Sequence, residues 1–195
     1  HVPAGPPGVT VGPRTELIGW PFSAHGELVL EDVRLPADTQ VGAENGAAMV
    51  FAGLPEMPIC LAACFVGLAR AAYDYALRYA RERQSLGQPI AAHQAVALKL
   101  ADMAVDVHLA RLAVWDAARA CETDPMAAGM FKGPAAKTVA VDAAIRNAER
   151  CVQILGGYGV AREYEAGRFL NDAWVGYSCD FTRDVLRLGI AQMLP

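Results

Sequence analysis

The spacing of apolar and polar positions changes near residue 45. Before it, short β-branched runs stand between Gly and Pro: Val9-Thr10-Val11, Glu27-Leu28-Val29-Leu30 and Val33-Arg34-Leu35-Pro36. Runs of that length and composition predict strands. After it, Ala and Leu dominate and apolar residues recur at steps of four and three. Leu61, Phe65, Leu68, Ala72, Tyr75 and Tyr79 make one stripe. Val96, Leu100, Met103, Val107, Ala110 and Val114 make a second, and Val141, Ile145, Ala148, Val152 and Leu155 a third. This period gathers each set on one helix face and predicts long helices packed nearly antiparallel. A shorter fourth helix is expected from about Thr182 to Leu194. Gly87 and Pro89 should end the first helix. Thr123, Asp124 and Pro125 should separate the second from the third, with Asp or Thr as a cap. Gly156, Gly157 and Gly159 should stop the third. The expected fold class is α+β: residues 1–44 as part of a β-domain, then residues 45–195 as an antiparallel up-and-down four-helix bundle.

A chain of 195 residues has room for one or two small domains with a real core. Its composition, 54% hydrophobic and 19% charged, is that of an ordinary soluble protein. A net charge of −4 lacks the basic excess that phosphate backbones demand, so nucleic acid is excluded as a partner. The longest strongly apolar run, Met57 to Ala69, contains Pro58 and falls short of a bilayer's thickness, so no membrane insertion is expected. Five cysteines form no Cys-x-x-Cys pair, four of them lie in apolar stretches, and their odd number suits reduced, buried thiols in a cytosol. The four histidines show no metal-ligand spacing and are expected on the surface or in local hydrogen bonds, with no metal. The opening HVPAGPPGVTVG reads as the interior of a domain, so a piece of a longer protein is expected.

A bundle with such stripes could be an interaction module with no chemistry, and the loops must decide. Ala80 to Gln94 reads ARERQSLGQPIAAHQ, and Cys151 to Tyr164 reads CVQILGGYGVAREY. A dinucleotide carries a pyrophosphate, which calls for a forked cation and backbone N–H groups open to close approach. Arg83 follows a long helix and precedes a Gly turn; Gln153 precedes a Gly pair. Taken singly, Arg83 is equally a helix-end charge and the Gly cluster equally a C-cap.

Taken together, in order and at their spacing, these two loops resemble those of the acyl-CoA dehydrogenase family. The segment Asp172 to Leu194 is similar to that family's last loop and helix, and Glu27 to Gly42 fits its β-domain. The resemblance covers essentially the whole chain, and Gln153 to Gly159 is its most specific part. It implies FAD as cofactor. Arg83, Ser85, Gln94, Gln153, Gly156 and Gly157 would hold the diphosphate region, partly across a subunit interface. Thr182 and Asp184 would lie near the adenosine end. Ser85 and Leu86 stand where Gln or Thr and Phe are commoner; Ser keeps a hydroxyl, while Leu gives up aromatic surface near the adenine.

The family oxidises an acyl thioester: a carboxylate removes the α-proton while hydride leaves the β-carbon for the flavin. Alignment on Arg187, Ile190 and Ala191 sets Cys179 to Thr182 against the family's usual Tyr-Glu-Gly-Thr. The implied base is Asp180, with Phe181 beside the substrate in place of Gly. Asp reaches about 1.5 Å less than Glu, and a misplacement of about 1 Å can cost about a hundredfold in rate. Leu54 and Pro58 replace an Asp and an Arg near the pantetheine, and Met57 occupies the family's alternative base position. Glu56, one position away, is on the wrong helix face. The implied partners are an acyl-CoA substrate, an electron-transfer flavoprotein or similar acceptor, and a homo- or hetero-oligomer formed through the bundle. Two readings stay open: an active enzyme for an unusual acyl group, or a non-catalytic FAD-holding scaffold subunit.

Overall fold

In the computed structural model, which describes residues 2–3, 5–42 and 56–194, the chain divides into two units, His1–Gly53 and Leu54–Pro195. In the first, β1 (Val9–Arg14) and β2 (Gly26–Leu30) pair antiparallel, Val9 opposite Leu30, with a register shift between Val11 and Arg14. The third expected strand, Val33–Pro36, is not one: the segment pairs with nothing among the described residues. Asp32, at φ +49°, turns the chain off the end of β2, and Pro36 lacks the N–H that a ladder needs. Val11 and Leu28 are exposed on the ribbon, because two strands have no second layer to cover them.

The second unit is helical: α1 (Glu56–Glu82), α2 (Gln94–Thr123), α3 (Gly133–Leu155), α4 (Ala166–Trp174) and α5 (Arg183–Ala191). Helix α3 is the centre, packed on α1, α2, α4 and α5. Its buried face and that of α1 are rich in alanine. Ala62, Ala69, Ala72, Ala76 and Ala80 are fully buried on α1, as are Ala136, Ala140, Ala143, Ala144 and Ala148 on α3. Small side chains let the backbones approach, so the inward line of α1 runs along Ala rather than along Leu61 and Leu68, which are half-buried. On α2 the expected stripe is the buried one from Leu100 to Val114. Asn147, fully buried on α3, donates from Nδ2 to the carbonyls of Ala69 (3.2 Å) and Met103 (3.1 Å), tying the three long helices together.

Helix α1 is longer than its apolar run suggests. At 27 residues it is long and apolar enough, by length and composition, to cross a bilayer. Its alanine face nevertheless packs on α3, and its outer face carries the Arg70–Asp74 ion pair at 3.3 Å. Helix α4 was not expected; it is short, and it turns Ala166, Phe169 and Ala173 inward over little more than two turns. Between α2 and α3, Asp124 is the cap: its carboxylate accepts from the Ala127 N–H at 3.0 Å, ahead of a π-helical turn at Ala128–Lys132.

Candidate active site

Two loops bring the candidate residues together, one at each end of α3. At the C-terminal end, α1 stops at Glu82 and the chain makes a small hairpin, β3 (Gln84–Ser85) with β4 (Gln88–Pro89). Leu86 and Gly87 form its two-residue turn with φ +52° and +80°, the conformation such tight turns require. The Arg83 carbonyl accepts from the Ile90 N–H at 2.8 Å, closing the base of the hairpin. His93 braces it from behind: Nε2 donates to the Ser85 carbonyl at 3.2 Å, while Nδ1 accepts from Gln88 Nε2 at 3.2 Å.

Helix α3 ends against this hairpin. Gly156 sits at φ +60°, and a Cβ added at Gly156 or Gly157 would meet nothing within 4 Å, so the backbone there borders open space. The result is a cleft of about 560 Å³ whose walls include Tyr79, Arg83, Ser85, Gly156, Gly157 and Tyr158. The Arg83 guanidinium carbon lies 5.8 Å from the centroid of the Tyr158 ring. Tyr158 in turn packs on Tyr164 at 5.0 Å and on Tyr79 at 6.5 Å. Among the described residues, Arg83 has no carboxylate at ion-pair distance. A forked cation with no carboxylate at ion-pair distance, a hydroxyl and open glycine backbone on one cleft, which Glu163 also lines, form a donor set that suits a diphosphate. Gln94, the first residue of α2, and Gln153, in the last turn of α3, are exposed and do not line this cleft.

The second loop, Ser178 to Thr182, lies beside the start of α3. Gly176 leads into it where an added Cβ would come within 2.9 Å of Phe65 and Val141, so only glycine fits without displacing the core. Asp180 has φ +54°, and its side chain is 14% exposed. Lys137 of α3, only 1% exposed, donates from Nζ to the carbonyls of Cys179 (2.7 Å) and Phe181 (2.8 Å), with Asp180 Oδ2 at 3.5 Å. Burial pushes the Cys179 thiol up from its ordinary range, with the Lys137 charge acting in the opposite sense. The Phe181 side chain is exposed. Thr182 caps α5, its hydroxyl oxygen accepting from the Val185 N–H, and Asp184 stands exposed in the first turn. At the start of α1, Pro58 is buried, Met57 half-buried and Glu56 exposed; Leu54 lies outside the described residues.

Lys137 and Gly156 are nineteen residues apart on α3, about 28 Å along a helix. The cleft and the Asp180 loop therefore occupy opposite ends of one helix. Lys137 escapes a motif search, although it lies one four-residue step before Val141 on the apolar stripe, where a lysine must find partners. Tyr158 sits inside the Gln153–Gly159 glycine motif, but nothing in its spacing marks it as the platform beneath Arg83.

Residues 44–194 match the family model for the acyl-CoA dehydrogenase C-terminal domain. The chain is 38% identical over 194 residues to a probable acyl-CoA dehydrogenase of Bacillus subtilis, covering 99% of this chain and 50% of that one. It is 35% identical over 182 residues to a short-chain specific acyl-CoA dehydrogenase of Megasphaera elsdenii, covering 93% and 47%. The fold superposes on butyryl-CoA dehydrogenase from Megasphaera elsdenii with a TM-score of 0.90 at 32% identity, over 98% of this chain and 50% of that one. The chain thus spans about half the length of the curated relatives it matches.

Proposed function

Because the chain belongs to the acyl-CoA dehydrogenase family, as a C-terminal half, we propose that its parent protein dehydrogenates an acyl-CoA thioester between the α and β carbons, with FAD as cofactor. The observation that carries this reading is the convergence of Arg83, Ser85 and the open backbone of Gly156 and Gly157 on one cleft. There the Arg83 fork would grip the diphosphate oxygens and Ser85 would add a hydroxyl, while Gln94 and Gln153, exposed outside the cleft, would offer amide donors to the same cofactor. Thr182 and Asp184 would serve the adenosine end. Bound so, the flavin supplies the acceptor for a hydride. Asp180 takes the α-proton onto its carboxylate, and Phe181 limits the room beside the acyl chain.

The base must stand against the flavin ring. The roughly 28 Å of α3 between the cleft and the Asp180 loop exceeds the arm that joins a flavin ring to its diphosphate. One chain's cleft and its own Asp180 therefore serve different flavins, and each site needs a second copy. An exposed apolar line on α2, with Leu98, Val105, Leu109, Leu112 and Trp115, supports association through the helices. In this reading α1, α2, α3 and α5 make the up-and-down bundle of residues 45–195, and residues 1–44 end a β-domain. An electron-transfer flavoprotein or similar acceptor reoxidises the flavin, in the cytoplasm.

The test is the visible spectrum of the parent protein, alone and with a panel of acyl-CoA thioesters. A yellow protein bleached by one of them is the expected result. A yellow protein that none bleaches would make this chain part of a flavin-holding scaffold subunit, and a colourless one would remove the cofactor.

A further inference from the structure

Lysine is a poor choice for the interior of a helical unit. Its ammonium has three donors and no acceptor, and burying it is costly unless those donors are satisfied. Lys137 is nevertheless 1% exposed, and its Nζ meets three polar groups of one tripeptide: the Cys179 carbonyl, the Phe181 carbonyl and the Asp180 carboxylate. Those carbonyls belong to the two residues that flank Asp180. Asp180 itself stands at φ +54°, in the left-handed region that Asp and Asn enter more readily than other non-glycine residues, so the residue type alone permits this turn and the contacts around it fix it. Both carbonyls that flank it accept from the same nitrogen, Lys137 Nζ. With the backbone fixed on both sides of it, the direction in which the Asp180 side chain leaves the loop is fixed too.

We infer that Lys137 is the positioning residue of the base loop, its buried ammonium clamping the backbone on either side of Asp180 so that the carboxylate is aimed before substrate arrives. The clamp compensates for the shorter reach of Asp: a base with one methylene fewer has less latitude to find the α-proton, so its mounting must be tighter. Lys137 touches neither substrate nor flavin in this scheme and acts only through Asp180. The inference rests on the reading of Asp180 as base given above.

The experiment uses the parent protein with its flavin bound, and two variants, Lys137→Met and Lys137→Gln. Glutamine keeps an N–H donor for the carbonyls without the charge. Flavin reduction at saturating acyl-CoA should fall about ten- to a hundredfold in the Met variant and less in the Gln variant. Flavin content and the acyl-CoA concentration for half-saturation should stay within about twofold, because the clamp orients the base and binds neither ligand. Amide hydrogen exchange supplies a readout independent of turnover: it should quicken at residues 179–182 and stay unchanged along the middle of α3. Wild-type reduction rates in folded variants would overturn the inference. So would exchange that quickens evenly through the helices, or loss of the helical circular-dichroism signal in both variants, since either makes Lys137 a stability residue only. If no thioester reduces the wild type, the dehydrogenase reading fails separately, and the exchange pattern alone then decides whether the clamp exists.

Discussion

The Arg83 guanidinium carbon stands 5.8 Å from the centre of the Tyr158 ring, joining the residue that follows α1 to the glycine turn that follows α3. The contact holds the cation at the cleft without neutralising it. Replacing Arg83 by Ala in the parent protein should therefore weaken FAD. A charge-assisted hydrogen bond contributes about 1.5–3 kcal/mol, so the dissociation constant should rise about ten- to a hundredfold. Equilibrium titration of the apoprotein measures it, and an unchanged constant would reduce Arg83 to a helix-end charge.

Among the described residues the chain carries the Arg83 cleft and, in its first unit, one pair of strands; in the proposed reading the rest of the flavin site lies in the other half of the parent. Isolated, the chain should show a helical circular-dichroism spectrum and bind FAD weakly or not at all. Stoichiometric flavin retained through gel filtration would show that the remaining half contributes little to the site.

Phe65 and Gly176 are matched across the core beside the Asp180 loop. Phe65 is fully buried, and a Cβ at position 176 would lie 2.9 Å from its ring. Phe65→Ala should cost about 3–5 kcal/mol through the cavity it leaves. Gly176→Ala should destabilise the wild type by overpacking yet be better tolerated in the Phe65→Ala background, where the ring is gone. Denaturant melts of the single and double variants check this, and strict additivity would mean the two positions do not press on each other.

The three long helices were legible because their apolar residues repeat over many turns, and a long repeat outweighs local accidents. The stripe on α2 matched the buried residues closely. On α1 the inward line was displaced from Leu to Ala, because hydropathy favours the larger residue while close packing on α3 favours the smaller. Val33–Pro36 was misread as a strand: β-branched composition signals extension, but a strand also needs a partner, and the sequence does not name one. Helix α4 was missed because two turns give too few repeats. At the site, the Arg83 and Gly156–Gly157 loops could be paired through their motifs. The role of Lys137 depends on residues 42 to 44 positions away, which no local spacing can reveal.

Cys151 is fully buried on α3, and burial pushes its thiol up from 9.0 to about 12. Below the unfolded value the thiol is neutral in both states and has no effect on stability. Between 9.0 and about 12 only the unfolded chain gives up this proton, so stability falls as pH rises. The melting temperature should drop between pH of about 8 and about 10.5, and Cys151→Ala should blunt that drop. In the folded protein iodoacetamide should label the exposed Cys60 and Cys64 and spare Cys151 until denaturant is added. Rapid labelling of Cys151 in native buffer would contradict its burial.

The central claim is that Asp180 is the base. Asp180→Asn keeps the shape of the side chain, since asparagine tolerates positive φ, and removes the capacity to take a proton together with the negative charge beside Lys137; the Lys137 bonds to the Cys179 and Phe181 carbonyls do not depend on it. The measurement is stopped-flow reduction of the flavin by an acyl-CoA that bleaches the wild type. We expect the rate constant to fall by about 10² or more with the flavin still bound; reduction of the Asn variant at the wild-type rate would place the base elsewhere.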